Sequence, residues 1–582
     1  MDKFKWDLSK IYKVDKDIEK DKLEILKIID EVEEFKKEPF DNLLKIIELL
    51  ELSMRKISKL FSYSNMKRDE DSRISKYQKM ALEIDMLYTK LSTSFSFFQP
   101  FILSLSDEKL NEINTDVRFE PYRKHIDRIL RYKKHTLSEK EETILSKVGE
   151  MASDSSNNFY MLSYADMKFP KLEKDNTVLT HANYTDKMSS SDRELRKEAF
   201  DKMYGTYDKY KNTFGSTLYN NIRNLVIEAN LRGYSSAIEM ELYDDAINTN
   251  VYDNLIDIVH KYLDYLYDYY KIRERLLNID ETHMYDVYAN VVNGYDKKIP
   301  YEEAQEIVLK AVEPMGAEYV SIMKKAFKEN WIDVYPREGK KSGAYSGGCY
   351  DSSPYILLNY TDNLESVFTL IHELGHSIHS YYSRENNDFL YSNYTIFVAE
   401  VASTFNELLL LNYLIENSKD DREKIYLINH YLNSYKSTVF RQTMFAEFER
   451  ETHKLVEEGN ALTQEDFSEI YYNLNKKYFG PDVVSDKEIE LEWARIPHFY
   501  RNFYVYKYAT GFLCATILSQ QVLSNKPNAL NNYLNFLKDG SNNYPLVQLR
   551  KAGCDMEDMD NLDKAFKVFV DLVKDFDNLT SK

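Results

Sequence analysis

The segment His372-Glu373-Leu374-Gly375-His376 has the clearest chemical potential in the chain. On an α-helix, positions i and i+4 share a face, so both imidazoles can bind one metal ion. Glu373 adjoins the first histidine and can act as general base toward a water on that metal. Because only 11 of the 582 residues are histidine, a chance occurrence of this spacing is rare. The segment therefore predicts a zinc site with His372 and His376 as ligands.

A catalytic zinc ion needs a third protein ligand and an open position for water. His379 extends the same helical stripe, and we interpret it either as a partner behind the metal or as a packing residue. The strongly helical segment that follows carries Glu400 and Glu407 on one face. Apolar neighbours make an unpaired carboxylate at Glu400 costly, and a zinc ion removes that cost. We predict Glu400 as the third ligand and Glu407 as the residue that orients a ligand histidine.

Upstream of the predicted metal helix lies a local concentration of glycine. Four of the chain's 16 glycines fall within ten residues, at Gly339, Gly343, Gly347 and Gly348. Glycine suits a flexible loop or a place where another backbone approaches closely. The apolar segment Tyr355–Tyr360 follows, and we predict it to be an edge strand that pairs with an extended peptide. Cys349 lies in the loop, and both a redox-sensitive and a buried, inert thiol are open interpretations.

The elements that must position these residues are helices. Glycine and proline supply 28 of 582 residues, about 5% against roughly 12% in average proteins. So few breakers predict long helices and exclude a β-sandwich or a propeller, while 43% hydrophobic residues exclude disorder. The stripe of Ile18, Ile25, Ile29 and Val32 predicts a first helix, and Asn42 is a candidate cap for the second.

Charge and cysteine content restrict the partners and the compartment. The formal net charge of −19 argues against nucleic acid or an anionic membrane as the main partner. Three cysteines are too few for a disulfide framework, which favours a reducing compartment. No apolar run reaches the roughly 20 residues of a membrane span, and the first residues do not read as a signal peptide. We expect a soluble cytoplasmic protein, and the sequence gives no oligomeric state.

Several segments together carry a family resemblance. The runs at 372–379 and 397–407 resemble those of zinc oligopeptidases of the thimet oligopeptidase and oligoendopeptidase F family. The loop Ser342–Gly348, the block Arg495–Gly511 and the short motifs at 6–8 and 192–196 are similar to oligoendopeptidase F in particular. The resemblance spans nearly the whole chain.

This resemblance implies a mainly α fold. The expected body is large, helical and two-lobed, with a deep substrate channel, one zinc ion at its floor and a small zincin-like β-sheet beside the metal helix. We place a domain boundary near residue 190, with an N-terminal helical region at 1–190 and the catalytic metallopeptidase domain at 191–582. The predicted substrate-binding residues are Gly343, Tyr345, Gly347, Gly348, Tyr355 and Tyr500.

A third block, near residue 500, offers a donor for the developing oxyanion. Tyr500, Tyr504 and Tyr508 are spaced i, i+4, i+8, which predicts one stripe along a helix that begins near Pro497. His498 lies off that stripe and projects from a loop or first turn. The resemblance implies that His498, Tyr504 and Tyr508 contact substrate and stabilise the transition state, and it leaves open which tyrosine donates.

We therefore predict a zinc-dependent endopeptidase that degrades short oligopeptides, with the zinc-bound water activated by Glu373, which then passes the proton to the leaving amine. Two alternatives stay open. A helical carboxypeptidase or dipeptidyl carboxypeptidase could use the same ligands, and an inactive peptide-binding scaffold could keep the fold. Two imidazoles and one carboxylate favour zinc over cobalt or manganese at ordinary availability.

Overall fold

The computed structural model describes residues 3–292 and 297–581. The chain divides into two compact units, each built from three separate segments. Unit 1 comprises Met1–Thr136, Asp296–Tyr413 and Leu518–Gly553, and unit 2 comprises Leu137–Tyr295, Leu414–Ile517 and Cys554–Lys582. This division does not fall at residue 190, so the boundary between an N-terminal and a catalytic domain stays a prediction.

Helices make up most of the described chain, and they are named here in chain order. The first segment of unit 1 contains α1 (Ile18–Phe35), α2 (Leu43–Glu70), α3 (Ser75–Phe95), α4 (Phe98–Ser104), α5 (Asp107–Thr115) and α6 (Arg123–Leu130). The first segment of unit 2 contains α7 (Glu139–Ala152), α8 (Asp154–Tyr160), α9 (His181–Met188), α10 (Arg193–Tyr207), α11 (Lys211–Leu231), α12 (Ala237–Tyr243), α13 (Thr249–Lys261), α14 (Leu263–Leu277) and β1 (Thr282–His283).

The remaining segments follow the same helical pattern. The chain continues with α15 (Tyr301–Ala311), α16 (Gly316–Lys328), β2 (Ile332–Asp333), β3 (Tyr345–Gly347), β4 (Tyr355–Leu357), α17 (Leu364–Asn386) and α18 (Ile396–Glu416). It ends with α19 (Asp421–Ser434), α20 (Arg441–Glu457), α21 (Gln464–Phe479), β5 (Val483–Val484), α22 (Tyr506–Leu523), α23 (Ala529–Lys538), α24 (Pro545–Ala552) and α25 (Met559–Thr580). The predicted mainly α fold is confirmed.

The N-terminal helices supply the main apolar cluster of unit 1. The predicted stripe of Ile18, Ile25, Ile29 and Val32 is buried in α1, and Asn42 precedes the first residue of α2. The cluster also includes Tyr355 and Leu357 of β4. Burial of apolar side chains at helical spacing therefore attaches the sheet to these helices.

The sheet of unit 1 has the order β2-β4-β3 among the described residues. Strand β4 pairs in parallel with β2, with Ile332 opposite Ile356, and antiparallel with β3, with Tyr345 opposite Leu357. The prediction of an edge strand at Tyr355–Tyr360 is wrong, because only Tyr355–Leu357 is a strand and it has a neighbour on each side. A fully buried run of this kind reads as a central strand, since both faces and both edges are covered.

Unit 2 is built from packed helices that are connected by specific hydrogen bonds. Asp192 caps α10 by accepting from the backbone N–H groups of Glu194 and Leu195. Two tyrosines of α13 and α14 are packing residues, because Tyr252 and Tyr269 are buried and their hydroxyls donate to Ala446 O and Asn429 Oδ1. Strands β1 and β5 form a short parallel pair.

Within residues 3–292 and 297–581, no helix combines the length and the apolar character that a membrane crossing needs.

Candidate active site

Helix α17 presents the two histidines from one face. It begins after Asn363, whose side chain accepts from the N–H of Ser366 at 2.9 Å. The rings of His372 and His376 lie edge to face with centroids 4.8 Å apart, as the i, i+4 spacing predicts. Both rings are partly exposed, so an ion can reach their Nε2 atoms.

Glu400 of α18 completes a set of three donors within unit 1. Its Oε2 atom lies 3.7 Å from Nε2 of His372 and 3.8 Å from Nε2 of His376. The three ligand atoms all lie within 4.8 Å of one another, which suits a tetrahedral zinc ion with one open position. Two imidazole nitrogens and one carboxylate oxygen therefore fit this metal.

Gly375 explains how α18 comes close enough to contribute that ligand. A Cβ atom at this position would lie 2.7 Å from both the carbonyl oxygen of Ala402 and the Cα of Ser403. The missing side chain therefore lets the backbones of α17 and α18 touch. Glycine lowers the helix propensity of α17, but at this position it permits the close contact with α18 beside the candidate metal ligands.

Glu407, the second acid of α18, is hydrogen-bonded to His372, the contact that the predicted orienting role requires. Nδ1–H of His372 donates to Oε1 of Glu407, which leaves Nε2 directed to the metal position. Burial lowers the pKa of His372, but the hydrogen bond and charge of Glu407, with Glu373 and Glu400, raise it to about 9. Burial and the neighbouring His372 instead lower the pKa of His376 to about 3.

Glu373 lies on the same helix and is only 7% exposed. Burial, together with the charges of Glu400 and Glu407, raises its pKa to about 7, and the charge of His372 opposes this increase. The carboxylate also accepts a hydrogen bond from the backbone N–H of Ser346. A carboxyl group with a pKa near neutrality is suited to take up and release a proton.

Strand β3 brings part of the glycine-rich segment onto the metal helix. Ser346 Oγ lies 2.8 Å from Ser377 Oγ of α17, in addition to the contact of its N–H with Glu373. Ser346 is not among the residues predicted from the sequence, because only the pairing of β3 with β4 fixes its backbone direction. Strand β3, which contains Tyr345 and Gly347, is thus the outer strand of the described sheet that contacts α17 through Ser346, and β2 is the other outer strand.

The other predicted residues of this segment have structural partners. Tyr345 donates its hydroxyl to Asp69 at 3.1 Å. Gly343 and Gly348 have φ angles of +79° and +120°, which only glycine adopts readily. Tyr355 is fully buried and donates to the carbonyl oxygen of Asp7, so its assignment as a substrate-binding residue is wrong.

Two further side chains resolve open interpretations. His379 is buried with its ring stacked on that of Tyr394 at 3.6 Å, which is the packing alternative. Cys349 is buried, and burial raises the pKa of its thiol, so the inert alternative fits better than a reactive thiol.

The tyrosine block of unit 2 does not form one helical stripe. Residues Pro497–Tyr500 form a 3₁₀ turn, Phe503 has a left-handed φ of +52°, and α22 begins only at Tyr506. The predicted stripe is wrong because the N–H of Phe503 donates to the buried Glu449 of α20 at 2.8 Å and breaks the helix there. No local pattern signals this bond, which spans 54 residues.

Three of the four predicted side chains of the block nevertheless meet. The ring centroids of His498, Tyr504 and Tyr508 are separated by 6.5, 6.0 and 5.5 Å. Burial and the nearby Arg501 lower the pKa of His498, so the imidazole is neutral near pH 7. Tyr500 points elsewhere, since it stacks on Phe159 at 4.4 Å and its hydroxyl is hydrogen-bonded to Thr217.

Comparison with known proteins gives matches over almost the whole chain. A family model described as peptidase family M3 matches residues 187–568, and one described as Oligopeptidase F matches residues 102–169. Oligopeptidase PepF of Bacillus subtilis is 41% identical over 99% of this chain and 87% of its own length. Group B oligopeptidase PepB of Streptococcus agalactiae is 38% identical over 100% of this chain and 98% of its own.

A solved structure leads to the same family. The crystal structure of oligoendopeptidase-F from Enterococcus faecium has a TM-score of 0.75 and 36% identity, and covers 97% of this chain and 99% of that one. The helical fold and the donor set on α17 and α18 agree with these matches. The chain therefore belongs to peptidase family M3, within its oligoendopeptidase F group, and is a metalloendopeptidase.

Proposed function

We propose that this endopeptidase uses one zinc ion to hydrolyse internal bonds of short oligopeptides in the cytoplasm. The observation that carries the proposal is the convergence of His372, His376 and Glu400 beside the buried Glu373. The relatives named oligopeptidase and oligoendopeptidase support the substrate class. A zinc ion, when bound, supplies a Lewis acid that polarises the scissile carbonyl and acidifies water.

Glu373 performs the proton transfers in this proposal. Its carboxylate takes a proton from the attacking water and later delivers that proton to the leaving amine. The N–H of Ser346 holds the carboxylate in place through the reaction. Glu407 keeps Nδ1 of His372 protonated, so that Nε2 stays a ligand.

The remaining roles concern the substrate. We assign stabilisation of the oxyanion to a hydrogen bond from Tyr508, Tyr504 or His498, the three rings that cluster in unit 2. We assign pairing with the substrate backbone to β3, because β4 is a central strand. Gly343, Gly347 and Gly348 then lie in or next to the strand that a peptide approaches.

An internally quenched peptide blocked at both ends tests the proposal. Cleavage at an internal bond that stops on chelation and returns with zinc is expected, because an endopeptidase needs no free terminus. Cleavage only of peptides with a free carboxyl terminus would instead indicate a carboxypeptidase. Binding without cleavage would indicate a scaffold.

Two variants separate the roles within the site. Glu373→Gln should keep stoichiometric zinc and lose almost all turnover, whereas Glu400→Ala should lose the metal. Full activity in Glu373→Gln would exclude Glu373 as general base. Stoichiometric zinc in Glu400→Ala would show that another residue is the third ligand.

A further inference from the structure

A large groove lies within unit 2 and contains none of the residues assigned above to catalysis or metal binding. Its volume is about 1080 Å³, and its lining comes from α7, α8, the π-helical turn Met161–Asp166 and α11. That volume accommodates several residues of a bound chain. The polar, apolar and charged residues of its lining together indicate which ligand it binds.

The floor is a polar stripe along α11. Thr213, Thr217, Asn220 and Asn224 line the groove at spacings of three and four residues, so they share one helix face. Side-chain amides carry donors and an acceptor together, as a peptide bond does. Asn220 donates one N–H to the carbonyl oxygen of Ser216 at 2.9 Å, which leaves its second N–H and its oxygen for a ligand. One helical turn separates Asn220 from Asn224 by about 5–6 Å, close to the ~6.6 Å between alternate residues of an extended chain.

Exposed apolar side chains line the groove from α7 and continue the stripe toward the C-terminal end of α11. Val148 and Met151 of α7 are 53% and 69% exposed, and Ile227 and Leu231 of α11 are 47% and 50% exposed. All four line the groove. Exposed apolar side chains that border a polar floor are typical of a groove that binds a ligand with apolar side chains and a polar backbone.

Charged residues connect the two helices that border the groove and give its lining a net negative charge. Arg232, which directly follows α11, is hydrogen-bonded to Glu142 of α7 and to Glu228 of α11, both at 2.9 Å, and so connects the two helices. Asp154 and Asp166 also line the groove, and Arg232 is the one basic residue of the described lining. The acidic excess favours a basic ligand and disfavours an acidic one.

The floor is directly joined to the segment that carries His498. Thr217 lines the groove, and its hydroxyl is hydrogen-bonded to that of Tyr500 at 2.7 Å. Tyr500 also stacks on Phe159 of α8, next to the groove residue Asn158. Since Tyr500 and His498 share one 3₁₀ turn, this hydrogen bond links the floor of the groove to the block that we assign to substrate contact.

We infer that this groove is a binding subsite for an extended oligopeptide with apolar and basic side chains, and that it holds a part of the substrate remote from the scissile bond. As a substrate subsite it rests on the proposed function. Asn220 and Asn224 bind the peptide backbone, and the exposed apolar residues of α7 and α11 bind its side chains. The acidic lining selects a lysine or arginine over a glutamate.

The test compares two groove variants with a matched control in the zinc-loaded full chain. Asn220→Ala combined with Asn224→Ala removes the amides, and Gly149→Leu narrows the groove. A Cβ at Gly149 meets no atom within 4 Å, and leucine favours the helix, so we expect this variant to fold. Asn230→Ala is the control, because it changes an exposed asparagine of α11 that does not line the groove.

Each protein is assayed with internally quenched peptides of about five and about twelve residues. The longer peptides end in an apolar segment that contains either lysines or glutamates. Both groove variants should raise KM for the long lysine peptide about tenfold with kcat unchanged, and leave the short peptide within twofold. The wild type and Asn230→Ala should prefer the lysine peptide to the glutamate peptide. Anisotropy of the labelled long peptide on zinc-loaded Glu373→Gln measures the same binding without turnover.

Unchanged KM for the long peptide in both groove variants overturns the inference, and so does an equal loss for short and long peptides. Equal KM values for the lysine and glutamate peptides in the wild type overturn the assignment of charge. Failure of the proposed function has a different signature, because the wild type would then cleave neither peptide. The anisotropy measurement would still report whether the groove binds peptide.

Discussion

At the residue scale, the hydrogen bond between His372 and Glu407 controls how a metal is taken up. The pKa of His372 is raised to about 9, so this imidazole is protonated at pH 8 when no metal is bound. The pKa of His376 is lowered to about 3, so this imidazole is already neutral. The two ligands of one helix therefore enter the metal site in different protonation states.

We predict that zinc uptake at pH 8 releases about one proton, because Nε2 of His372 must lose its proton to become a ligand. Apparent zinc affinity should rise with pH, by up to about tenfold per unit below pH 9. Calorimetry in buffers of different ionisation enthalpy counts the protons. Uptake without proton release would contradict the raised pKa.

Variants of Glu407 separate charge from orientation. Glu407→Gln removes the charge that raises the pKa of His372 but keeps an acceptor for Nδ1–H, so the proton release should fall while zinc still binds. Glu407→Leu removes both, and zinc affinity should fall by about 10- to 100-fold. Equal zinc affinity in the leucine variant and the wild type would show that Glu407 does not orient the ligand.

At the element scale, the approach of α17 to α18 depends on one missing side chain. Gly375→Ala should destabilise the protein by about 1–3 kcal/mol and lower its zinc content, because the added Cβ would push Ala402 and Ser403 away. Gly205→Ala is the matched control, since it adds a Cβ to a helix with nothing within 4 Å and should stabilise it slightly. Thermal unfolding and metal analysis measure both effects, and a stable, fully loaded Gly375→Ala would exclude the close contact.

The break between Tyr500 and Tyr508 gives a second prediction at this scale. Glu449→Leu removes the acceptor for the N–H of Phe503, so kcat should fall at least tenfold while zinc content stays at one ion. Burial raises the pKa of Glu449 well above its usual value, so a neutral glutamine is a close substitute and Glu449→Gln should retain most activity. Similar losses in both variants would assign Glu449 a role in general stability instead.

The contrast between these elements shows what the sequence can predict. Helical spacing is local, so His372, His376 and the acids of α18 could be assigned from their positions along the chain. The central place of β4 depends on pairing with β2 and β3, and the helix break at Phe503 depends on Glu449 of another helix. Strand pairing and the bond to Glu449 are set by packing rather than by local spacing, so helical and apolar patterns alone predict neither the central strand nor the break in the tyrosine stripe.

At the scale of the whole molecule, the candidate metal ligands all belong to unit 1. Chelation should therefore accelerate amide exchange in α17 and α18, and lower the midpoint of thermal unfolding in a way that depends on zinc concentration. Helices α13 and α20 of unit 2, joined by the bond of Tyr252 to Ala446, serve as the internal control. Equal acceleration in these helices would contradict a local effect of the metal.

The interleaving of segments has a consequence for biosynthesis. Unit 1 takes its last segment from residues 518–553, and unit 2 takes its last from residues 554–582. A ribosome therefore has to complete nearly the whole chain before either unit has all its parts, even though α17 and α18 are made much earlier. The nascent peptidase should remain inactive until residues 518–553, the last segment of unit 1, have been synthesised.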